Sequence, residues 1–192
     1  FTPDLFIDGT VEDGLLGSSI SVLGDVNNDG VLDVGIGARN ARGSGVGYIL
    51  STTDLLGCNS ACRITDIAVA EISVHDPESQ FARSWIPLGD INRDGIPDFG
   101  IGAKRANIMN DDTGAMYLYF GPITGTIDNL YHGRVSGEEA FTQLTVSTTT
   151  ADVDGDGRTD ILFGGREERL VEQGTIDNGN VYILTSEALF SE

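Results

Sequence analysis

Short runs of apolar and β-branched residues recur along the chain, bounded by segments rich in glycine, aspartate and asparagine. No long stretch has the periodicity of an amphipathic helix, so the runs are interpreted as strands. The chain contains 26 glycines among 192 residues. This composition also favours a loop-rich β protein over a helical bundle.

Three pairs of these runs each enclose an acidic loop of nine residues. In chain order the pairs are residues 18–26 and 32–38, residues 84–91 and 97–103, and residues 143–153 and 159–165. Most residues in them are apolar or β-branched, as expected for central strands buried on both faces. Phe81 and Trp85, before the second loop, are therefore predicted to pack in the core.

Each pair is followed by a third run, and two of the three by a fourth. The third runs are residues 45–51, 114–121 and 179–186, and the fourth are residues 64–74 and 126–137. Tyr48, Tyr117 and Tyr182 recur at one place in the third run, which predicts a structural role. Residues 4–11 resemble another fourth strand, placed ahead of the first pair.

The chain is thus predicted to be an all-β array of three four-stranded units. The acidic loops begin at residues 25, 90 and 152, and four-stranded units of this size are typical of β-propeller blades. The predicted repeats span residues 12–74, 75–137 and 138–192 of a single propeller segment, 1–192, with residues 1–11 as a displaced outer strand.

The acidic loops share oxygen-bearing side chains at positions 1, 3, 5 and 9 and a glycine at position 6. This spacing allows the chain to curl around one hard cation, and Ca²⁺ takes about six to eight oxygen ligands. The side chain at position 7 varies, so the backbone carbonyl is the predicted ligand there. In loop order, the predicted ligands are Asp25, Asn27, Asp29, Val31 and Asp33; Asp90, Asn92, Asp94, Ile96 and Asp98; and Asp152, Asp154, Asp156, Arg158 and Asp160.

Three Ca²⁺ sites are favoured over EF-hands, Mg²⁺ sites and turns that bind nothing. An EF-hand needs a glutamate at position 12, where this chain has Ile36, Ile101 and Phe163. Mg²⁺ prefers a rigid octahedral shell that keeps several waters, and a plain turn does not require the same spacing three times. Because the carboxylates of an empty loop repel one another, calcium is expected to stabilise the fold. The third loop, with Asp154 in place of an asparagine, is predicted to bind most tightly.

The formal net charge of −19 argues against nucleic acid or an anionic membrane as the main partner. No apolar run approaches the roughly 20 residues of a membrane span, so no membrane insertion is expected. The chain starts at Phe1 without a leader-like segment, as expected of a processed or excised product.

The two cysteines, Cys58 and Cys62, are separated by three residues. A turn can bring their Cα atoms within the roughly 7 Å that a disulfide needs, which favours a local disulfide over two free thiols. His75 and His132 are far away in the sequence, so no soft-metal ligand set is visible. A disulfide indicates an oxidising compartment, and an extracellular or cell-surface location is therefore predicted.

The loops and their flanks resemble the FG-GAP repeats of integrin α-subunit propellers and their bacterial relatives. That motif contains a Phe-Gly pair, a calcium loop that begins with Gly-Asp, and a Gly-Ala-Pro segment. The matching residues are 16–19, 81–84 and 141–143 for the pair; 24–25, 89–90 and 151–152 for the loop start; and 37–38, 102–103 and 164–165, without the proline, for the last segment. The resemblance implies propeller blades with one structural Ca²⁺ in each loop, while ligands bind at other loops.

Three blades are too few to close a propeller, which usually has about four to eight. The chain is therefore expected either to be part of a longer propeller or to be completed by further copies of itself. In the second case the N-terminal strand would complete a blade by strand addition.

The leading functional hypothesis is a non-enzymatic, extracellular calcium-binding module for cell adhesion or protein–protein contact, with self-assembly into an oligomer or filament as an extension. It is based on rigid blades, polar loops at residues 106–113 and 166–178, and the lack of a catalytic set around His75 or His132. One alternative is an accessory propeller domain of a secreted hydrolase. Another is a calcium-dependent carbohydrate-binding lectin, although the loops themselves use most of the coordination shell.

Overall fold

A computed structural model describes residues 5–58, 61–108, 112–137, 141–165, 168–171, 174–177 and 179–190. The strands in this part of the chain are β1 (Phe6–Asp8), β2 (Leu16–Gly24), β3 (Asp33–Ala38), β4 (Val46–Ser51), β5 (Ala61–Arg63), β6 (Ala70–Ser73), β7 (Ser84–Gly89), β8 (Asp98–Ala103), β9 (Ala115–Tyr119), β10 (Gly125–Asp128), β11 (Gly133–Ser136), β12 (Ser147–Ala151), β13 (Asp160–Gly165), β14 (Glu168–Val171), β15 (Gly174–Asp177) and β16 (Asn180–Leu184). The helices are α1 (Thr52–Gly57), α2 (Ile64–Ile67) and α3 (Ser186–Phe190), and a 3-10 turn lies at Ala41–Gly43. The predicted all-β class is confirmed.

Three sheets form successive propeller-like blades. The first has the order β2-β3-β4-β6 with β10 added at its outer edge, the second is β7-β8-β9-β11, and the third is β12-β13-β16. The first two strands of each blade pair antiparallel across an acidic loop. The strand pairs β1-β5 and β14-β15 form two separate ribbons. In the described part of the chain, the blades do not close into a ring.

Apolar side chains from facing sides of adjacent blades form the core. Between the first two blades, Trp85 packs on Phe99 with ring centroids 5.7 Å apart, and Phe81 packs on Tyr117 at 5.6 Å. Both Phe81 and Trp85 are buried, as predicted. The joint between the second and third blades contains Ile86, Leu88, Met116, Leu118, Leu144, Ile161 and Phe163.

Glycines allow one blade to approach the next. A β-carbon on Gly47 would lie 3.0 Å from the indole ring of Trp85, so the ring occupies the space that a side chain there would need. At the edge of the same joint, the backbone of Phe81 contacts Gly45. The N–H of Phe81 donates to the carbonyl of Ser44 at 2.8 Å. Leu144 lies on Gly114 in the same way at the next joint, with a hydrogen bond of 3.0 Å. The two joints therefore use one mode of contact.

The Phe-Gly element of the third repeat differs from its predicted place at residues 141–143. Phe141 is 37% exposed, whereas Leu144 is buried where Phe81 is buried in the second blade. The strands β2 and β7 carry an irregularity in register at Leu23 and Leu88 that β12 lacks, which accounts for one of the three residues between Phe141 and Leu144. A position counted back from the start of the acidic loop therefore lies one residue closer to the loop in the third blade than in the second.

The fourth runs are not single strands. Residues 64–74 divide into α2 and β6, and residues 126–137 divide into β10 and β11. Strand β11 pairs with β9 of its own blade, while β10 pairs in parallel with β6 of the preceding blade. The segment between β9 and β11 is thus an excursion from the second blade onto the edge of the first.

The N-terminal strand β1 pairs in parallel with β5 instead of joining a blade sheet in this chain. A disulfide between Cys58 and Cys62, whose Cα atoms are 6.0 Å apart, connects the end of α1 to β5. The predicted repeat limits remain a prediction. Residues 1–4 and 138–140, at two of these limits, lie outside the described residues, as do residues 109–111, 166–167, 172–173 and 178 of the two predicted polar loops.

The recurring tyrosine is buried in two blades and open in one. Tyr48 and Tyr117 are covered, whereas Tyr182 is 37% exposed. The edge of Tyr131 covers Tyr117 at a centroid distance of 5.0 Å. No fourth strand stands beside Tyr182 in the described part of the third sheet. The predicted structural role thus depends on the completeness of the blade.

Gly45→Ala is expected to destabilise the joint between the first two blades by about 3 kcal/mol. The added β-carbon would overlap the carbonyl of Phe81, and Gly45 has φ of +110°, which disfavours any side chain. Gly43→Ala is the matched control, because Gly43 has φ of +78° but open space around it. Its expected cost is the left-handed strain alone, about 1 kcal/mol. Equal losses for the two variants in urea unfolding would show that the glycine contact is not what holds the joint.

Candidate metal centres

The three acidic loops lie at the same end of the array, because each connects the first two strands of a blade. Their turns use two left-handed residues, at positions 4 and 6. In the first loop these are Asn28 with φ of +60° and Gly30 with φ of +89°. The corresponding residues of the other loops are Arg93 and Gly95, then Gly155 and Gly157. The turn at position 6 was predictable from glycine, while position 4 is marked by glycine only in the third loop.

The carboxylate at position 1 organises the loop backbone. Asp25 accepts the N–H of Asp29 at 2.9 Å and the N–H of Gly30 at 2.8 Å. In the second loop, Asp90 accepts the same two bonds at 3.0 and 2.8 Å. In the third, Asp152 accepts N–H groups from positions 4 and 6 at 2.7 and 3.0 Å. Because a carboxylate oxygen has two lone pairs, these bonds leave acceptor capacity for a cation.

The side chains at positions 3 and 5 are drawn together inside each loop. Asn27 accepts the N–H of Asp29 at 3.0 Å and donates its amide to the Asp29 carboxylate at 2.9 Å. Asn92 and Asp94 make the corresponding bonds at 2.9 and 2.9 Å. The repeated sequence spacing thus produces the same side-chain arrangement in both loops.

The aspartate at position 9 closes each loop from the buried side. Asp33, Asp98 and Asp160 are completely buried, although they begin the second strand of their blades. One oxygen of Asp33 accepts the N–H groups of positions 2 and 3 at 2.9 and 3.1 Å. Asp98 accepts the same pair at 3.0 and 3.3 Å, and Asp160 accepts the N–H of position 2 at 2.8 Å. The side chain at position 9 therefore joins the start of the loop to its end.

The second oxygen of this aspartate has a backbone partner in two of the three blades. Asp98 accepts the N–H of Gly121 at 3.1 Å, and Asp160 accepts the N–H of Ser186 at 2.8 Å. Both donors follow the third strand of the same blade. The second oxygen of Asp33, Oδ1, is buried and has no hydrogen-bond partner among the described residues.

The unpaired oxygen in the first blade accompanies a different hydrogen bond of Thr52. Thr52 follows the third strand there and stands where Gly121 and Ser186 stand in the other blades. Its N–H donates to the carbonyl of Leu32 at 3.0 Å instead of to Asp33, although a helix begins both at Thr52 and at Ser186. A buried carboxylate oxygen without a donor is costly unless a cation or water compensates it.

The position-9 carboxylates differ in pKa in the metal-free chain. Burial raises the pKa of Asp33 to about 6, and the N–H groups of Asn27 and Val26 only partly oppose this effect. Burial also raises the pKa of Asp98. The N–H of Ser186, followed by that of Val153, holds the pKa of Asp160 below its usual value. Asp33 is thus the carboxylate whose charge is least compensated by the protein itself.

The third loop contains the densest group of carboxylates in the described part of the chain. One oxygen from each of Asp152, Asp154 and Asp156 lies within 4.8 Å of the other two. Arg158 Nε lies 3.8 Å from the Asp156 carboxylate, and the Ser186 hydroxyl donates to it at 3.3 Å. The backbone N–H of Arg158 also donates to this carboxylate, at 2.8 Å.

The residues present fit a hard cation such as Ca²⁺. The side chains at positions 1, 3, 5 and 9 all offer oxygen atoms. The Asp33 Oδ1 atom has no hydrogen-bond partner among the described residues, and the three carboxylates of the third loop have only Arg158, 3.8 Å from Asp156, as an ion-pair partner there. The backbone carbonyls of Val31, Ile96 and Arg158 remain predicted ligands. The ligand set as a whole, and the number of ions, likewise remain predictions.

The two histidines take part in structural contacts. Asp128 lies between Ser73 and His75, with oxygen contacts of 2.7 and 2.9 Å. In a hydrolytic triad the histidine must contact the nucleophile itself, and this arrangement puts the carboxylate between them. His132 accepts the N–H of Phe120 at 2.9 Å and stacks on its ring.

Comparison with known proteins shows two groups of relatives. The chain is 29% identical over 170 residues to integrin alpha-7 of Mus musculus, covering 84% of this chain and 13% of that protein. It is 27% identical over 175 residues to integrin alpha-3 of Cricetulus griseus, covering 86% and 15%. It is 29% identical over 146 residues to the phosphatidylinositol-glycan-specific phospholipase D of Bos taurus, covering 73% and 17%. No family model matches the chain.

The chain is similar to parts of the integrin α subunits and of the phosphatidylinositol-glycan-specific phospholipases D. Both groups of relatives contain FG-GAP propeller regions, so the resemblance predicted from the loops is confirmed. These proteins are extracellular or secreted, which confirms the predicted location of this integrin-like propeller chain. The chain spans less than a fifth of the length of these relatives. None of the described helices is long and apolar enough to cross a membrane.

Asp33→Asn and Asp98→Asn are expected to have opposite effects on the metal-free chain. In Asp33→Asn the amide NH₂ replaces Oδ1, the oxygen that accepts no hydrogen bond. The melting temperature should therefore stay the same or rise. In Asp98→Asn the amide NH₂ faces the N–H of Gly121, so that two donors oppose each other. The free energy of unfolding should fall by about 1–3 kcal/mol. Thermal melts in chelator measure both effects. A larger loss for Asp33→Asn would contradict the assignment of its oxygen as unpaired.

Asp154→Asn is expected to weaken cation binding at the third loop by about tenfold, because affinity in such loops depends on the number of charged ligands. Asn27→Asp is the matched gain of charge in the first loop and should strengthen binding there. Luminescence titration with Tb³⁺, followed by competition with Ca²⁺, measures both changes. If the third loop of the unaltered chain binds most weakly of the three, the proposed dependence on charge is wrong.

Proposed function

We propose that this chain is a non-enzymatic, extracellular calcium-binding propeller module that makes contacts with other proteins, as in cell adhesion. Calcium has a structural role in this proposal, holding the loop between the first two strands of each blade. The partners are proteins, either of another kind or further copies of this chain.

The repeated geometry of the acidic loops carries this proposal. The glycine at position 6 donates its N–H to the carboxylate at position 1 in all three loops, and a fully buried aspartate ends each of them. Carboxylates held this closely repel one another unless a cation lies between them. A structural ion therefore explains why acidic residues are concentrated where the strands must approach each other.

The opposite end of the blades is the proposed contact surface for partners. The acidic loops have the same length in every blade, whereas the loops between the second and third strands differ, spanning residues 39–45, 104–114 and 166–179. Loops of variable length on a rigid scaffold commonly carry binding residues. A cleft of about 380 Å³ at this end is lined by Arg39, Asn40, Gln80 and Arg105, among others. Asp13 and Glu78 line the same cleft, and Arg105 pairs with Asp112 at 3.2 Å, so the cleft would suit a partner surface of mixed charge.

An accessory domain of a secreted hydrolase is the second candidate. The relatives named phosphatidylinositol-glycan-specific phospholipase D favour it, since they share the same stretch of sequence. In that case the chemistry would belong to another part of a longer polypeptide. The contacts of His75 and His132 give this chain no nucleophile–base pair through either histidine. A catalytic domain encoded beside this segment would favour the accessory role, while adhesive or stalk repeats would favour the first proposal.

Calcium is expected to raise the melting temperature of the chain, because an ion that binds only the folded state stabilises it. At a concentration about 100 times the dissociation constant, each site would contribute about 2.7 kcal/mol. Calorimetric melts in Ca²⁺, in Mg²⁺ and in chelator measure this, with a smaller shift expected from Mg²⁺.

Asp90→Asn, which removes a position-1 ligand from the second loop only, should reduce the calcium-induced shift without abolishing it. Asp128→Asn, in which the altered carboxylate lies outside every acidic loop, is the control and should leave the shift unchanged. If the unaltered chain melts at one temperature in calcium and in excess chelator, the structural role of calcium is excluded.

A further inference from the structure

Each acidic loop contains a backbone bond that can rearrange chemically. Positions 5 and 6 are an aspartate followed by a glycine: Asp29 and Gly30, Asp94 and Gly95, and Asp156 and Gly157. The third loop has a second such pair, Asp154 and Gly155. An Asp-Gly bond is prone to internal rearrangement, because glycine has no side chain to hinder attack by its own nitrogen. The loops thus place a reactive bond inside each candidate metal centre.

The rearrangement needs only the chain and water. The glycine nitrogen forms a bond to the side-chain carboxyl carbon of the aspartate, the C–OH bond of that carboxylic acid breaks, and the hydroxyl leaves with the amide proton as water. Water then adds to the five-membered imide and breaks the bond between the nitrogen and the main-chain carbonyl carbon. The product is isoaspartate, in which the chain continues through the side-chain carbonyl and the former main-chain carbonyl is a free carboxylate.

Hydrogen bonds hold the attacking nitrogen in the folded loops. Gly30, Gly95 and Gly157 donate their N–H groups to the position-1 carboxylates at 2.8, 2.8 and 3.0 Å. A hydrogen bond to an anion is stronger than one to a neutral acceptor, and it fixes the plane of the amide. The nitrogen must break this bond before it can lose its proton and attack.

The carboxylate under attack is also held in the first two loops. Asp29 accepts the N–H of Val31 on one oxygen at 2.8 Å and the side-chain amide of Asn27 on the other at 2.9 Å. Asp94 accepts the corresponding two bonds at 2.8 and 2.9 Å. Rotation of either side chain towards the glycine nitrogen would break both bonds.

The third loop has fewer of these restraints. Asp154 stands in place of the asparagine at position 3, so Asp156 has no amide donor there, and the hydroxyl of Ser186 contacts its second oxygen at 3.3 Å. The single carboxylate of Asp152 accepts the N–H groups of both glycines, at 2.7 and 3.0 Å. Two reactive bonds therefore depend on one restraining side chain.

Burial does not protect the loop bonds, since both residues of each of them are exposed. The pair Asp8 and Gly9, at the end of β1, is exposed as well and offers a comparison within the same chain. The Asp8 carboxylate accepts no hydrogen bond from the described residues. A lower reactivity of the loop bonds would therefore reflect their hydrogen bonds and not their distance from water.

We propose that the position-5 aspartates are modification sites, where isoaspartate forms when a loop opens, and that the loop hydrogen bonds suppress the reaction in the folded chain. The third loop is modified first. These hydrogen bonds are present without a cation, so the protection does not require calcium.

The consequence for cation binding, in contrast, rests on the proposed function. Isoaspartate adds one methylene group to the loop backbone and attaches the carboxylate directly to the α-carbon. The oxygens at position 5 are then displaced from the other ligands, although the chain is not cleaved. A modified loop should therefore lose its cation, which needs several oxygens in one shell.

Ageing of the 192-residue chain at near-neutral pH and physiological temperature tests the proposal. Chromatographic peptide mapping separates isoaspartyl from aspartyl peptides of equal mass and follows each bond in calcium, in chelator and in unfolding urea. In urea the loop bonds should react within about threefold of the Asp8-Gly9 bond. In chelator they should react about tenfold more slowly than that bond, because only the locally open loop reacts. The third loop should contain the most isoaspartate of the three.

The outcomes separate this proposal from the structural role of calcium. Loop bonds that react as fast in chelator as in urea overturn the proposal, whatever calcium does to the melting temperature. Protection in chelator that calcium does not increase supports the proposal and counts against the structural role of calcium. Least isoaspartate in the third loop overturns its assignment as the first site.

Removal of one restraint tests its role directly. Asp90→Ala takes the acceptor away from Gly95, so isoaspartate at Asp94 should increase in chelator towards its level in urea, while Asp29 in the unaltered first loop serves as the internal control. Asp90→Asn keeps one acceptor oxygen and should cause a smaller increase. Equal modification of Asp94 in both variants and the unaltered chain overturns the proposed protection. If the variants fail to fold, the comparison of chelator with urea in the unaltered chain still decides.

Discussion

The fold depends on a buried aspartate at the end of each acidic loop. Asp33, Asp98 and Asp160 are completely buried and accept N–H groups from the start of the loop. In the second and third blades this carboxylate also holds the residue after the third strand. One side chain thus joins the first three strands of a blade at one end, where the backbone would otherwise have unpaired donors.

This arrangement puts negative charge in the interior and surrounds it with more negative charge. Burial raises the pKa of Asp33, whereas the N–H of Ser186, followed by that of Val153, lowers the pKa of Asp160. In the first blade the N–H of Thr52 donates to Leu32 instead of to Asp33, and the third blade has three carboxylates within 4.8 Å. A cation in each loop would relieve both problems by the same interaction. The blades therefore need not depend on calcium to the same extent.

The joints between blades obey a second constraint, which is close approach of backbones. Phe81 reaches Gly45, and Leu144 reaches Gly114, because neither glycine presents a β-carbon. The second blade also sends an excursion onto the edge of the first, where β10 pairs with β6. The first blade is thus completed in part by its neighbour.

The sequence by itself determined the strand–loop–strand units, the β class, the oxygen donors at positions 1, 3, 5 and 9, and the left-handed turn at position 6. These features are local, since strand propensity, alternation of apolar residues and the need for glycine act within about ten residues. Only the tertiary structure decided that Leu144 takes the place expected for Phe141, that residues 126–137 divide between two blades, and that Asp33 lacks a partner. Each of these depends on contacts between residues far apart in the chain: the backbone of Leu144 against Gly114, a strand that pairs with the neighbouring blade, and an N–H of Thr52 that donates to Leu32 instead of to Asp33.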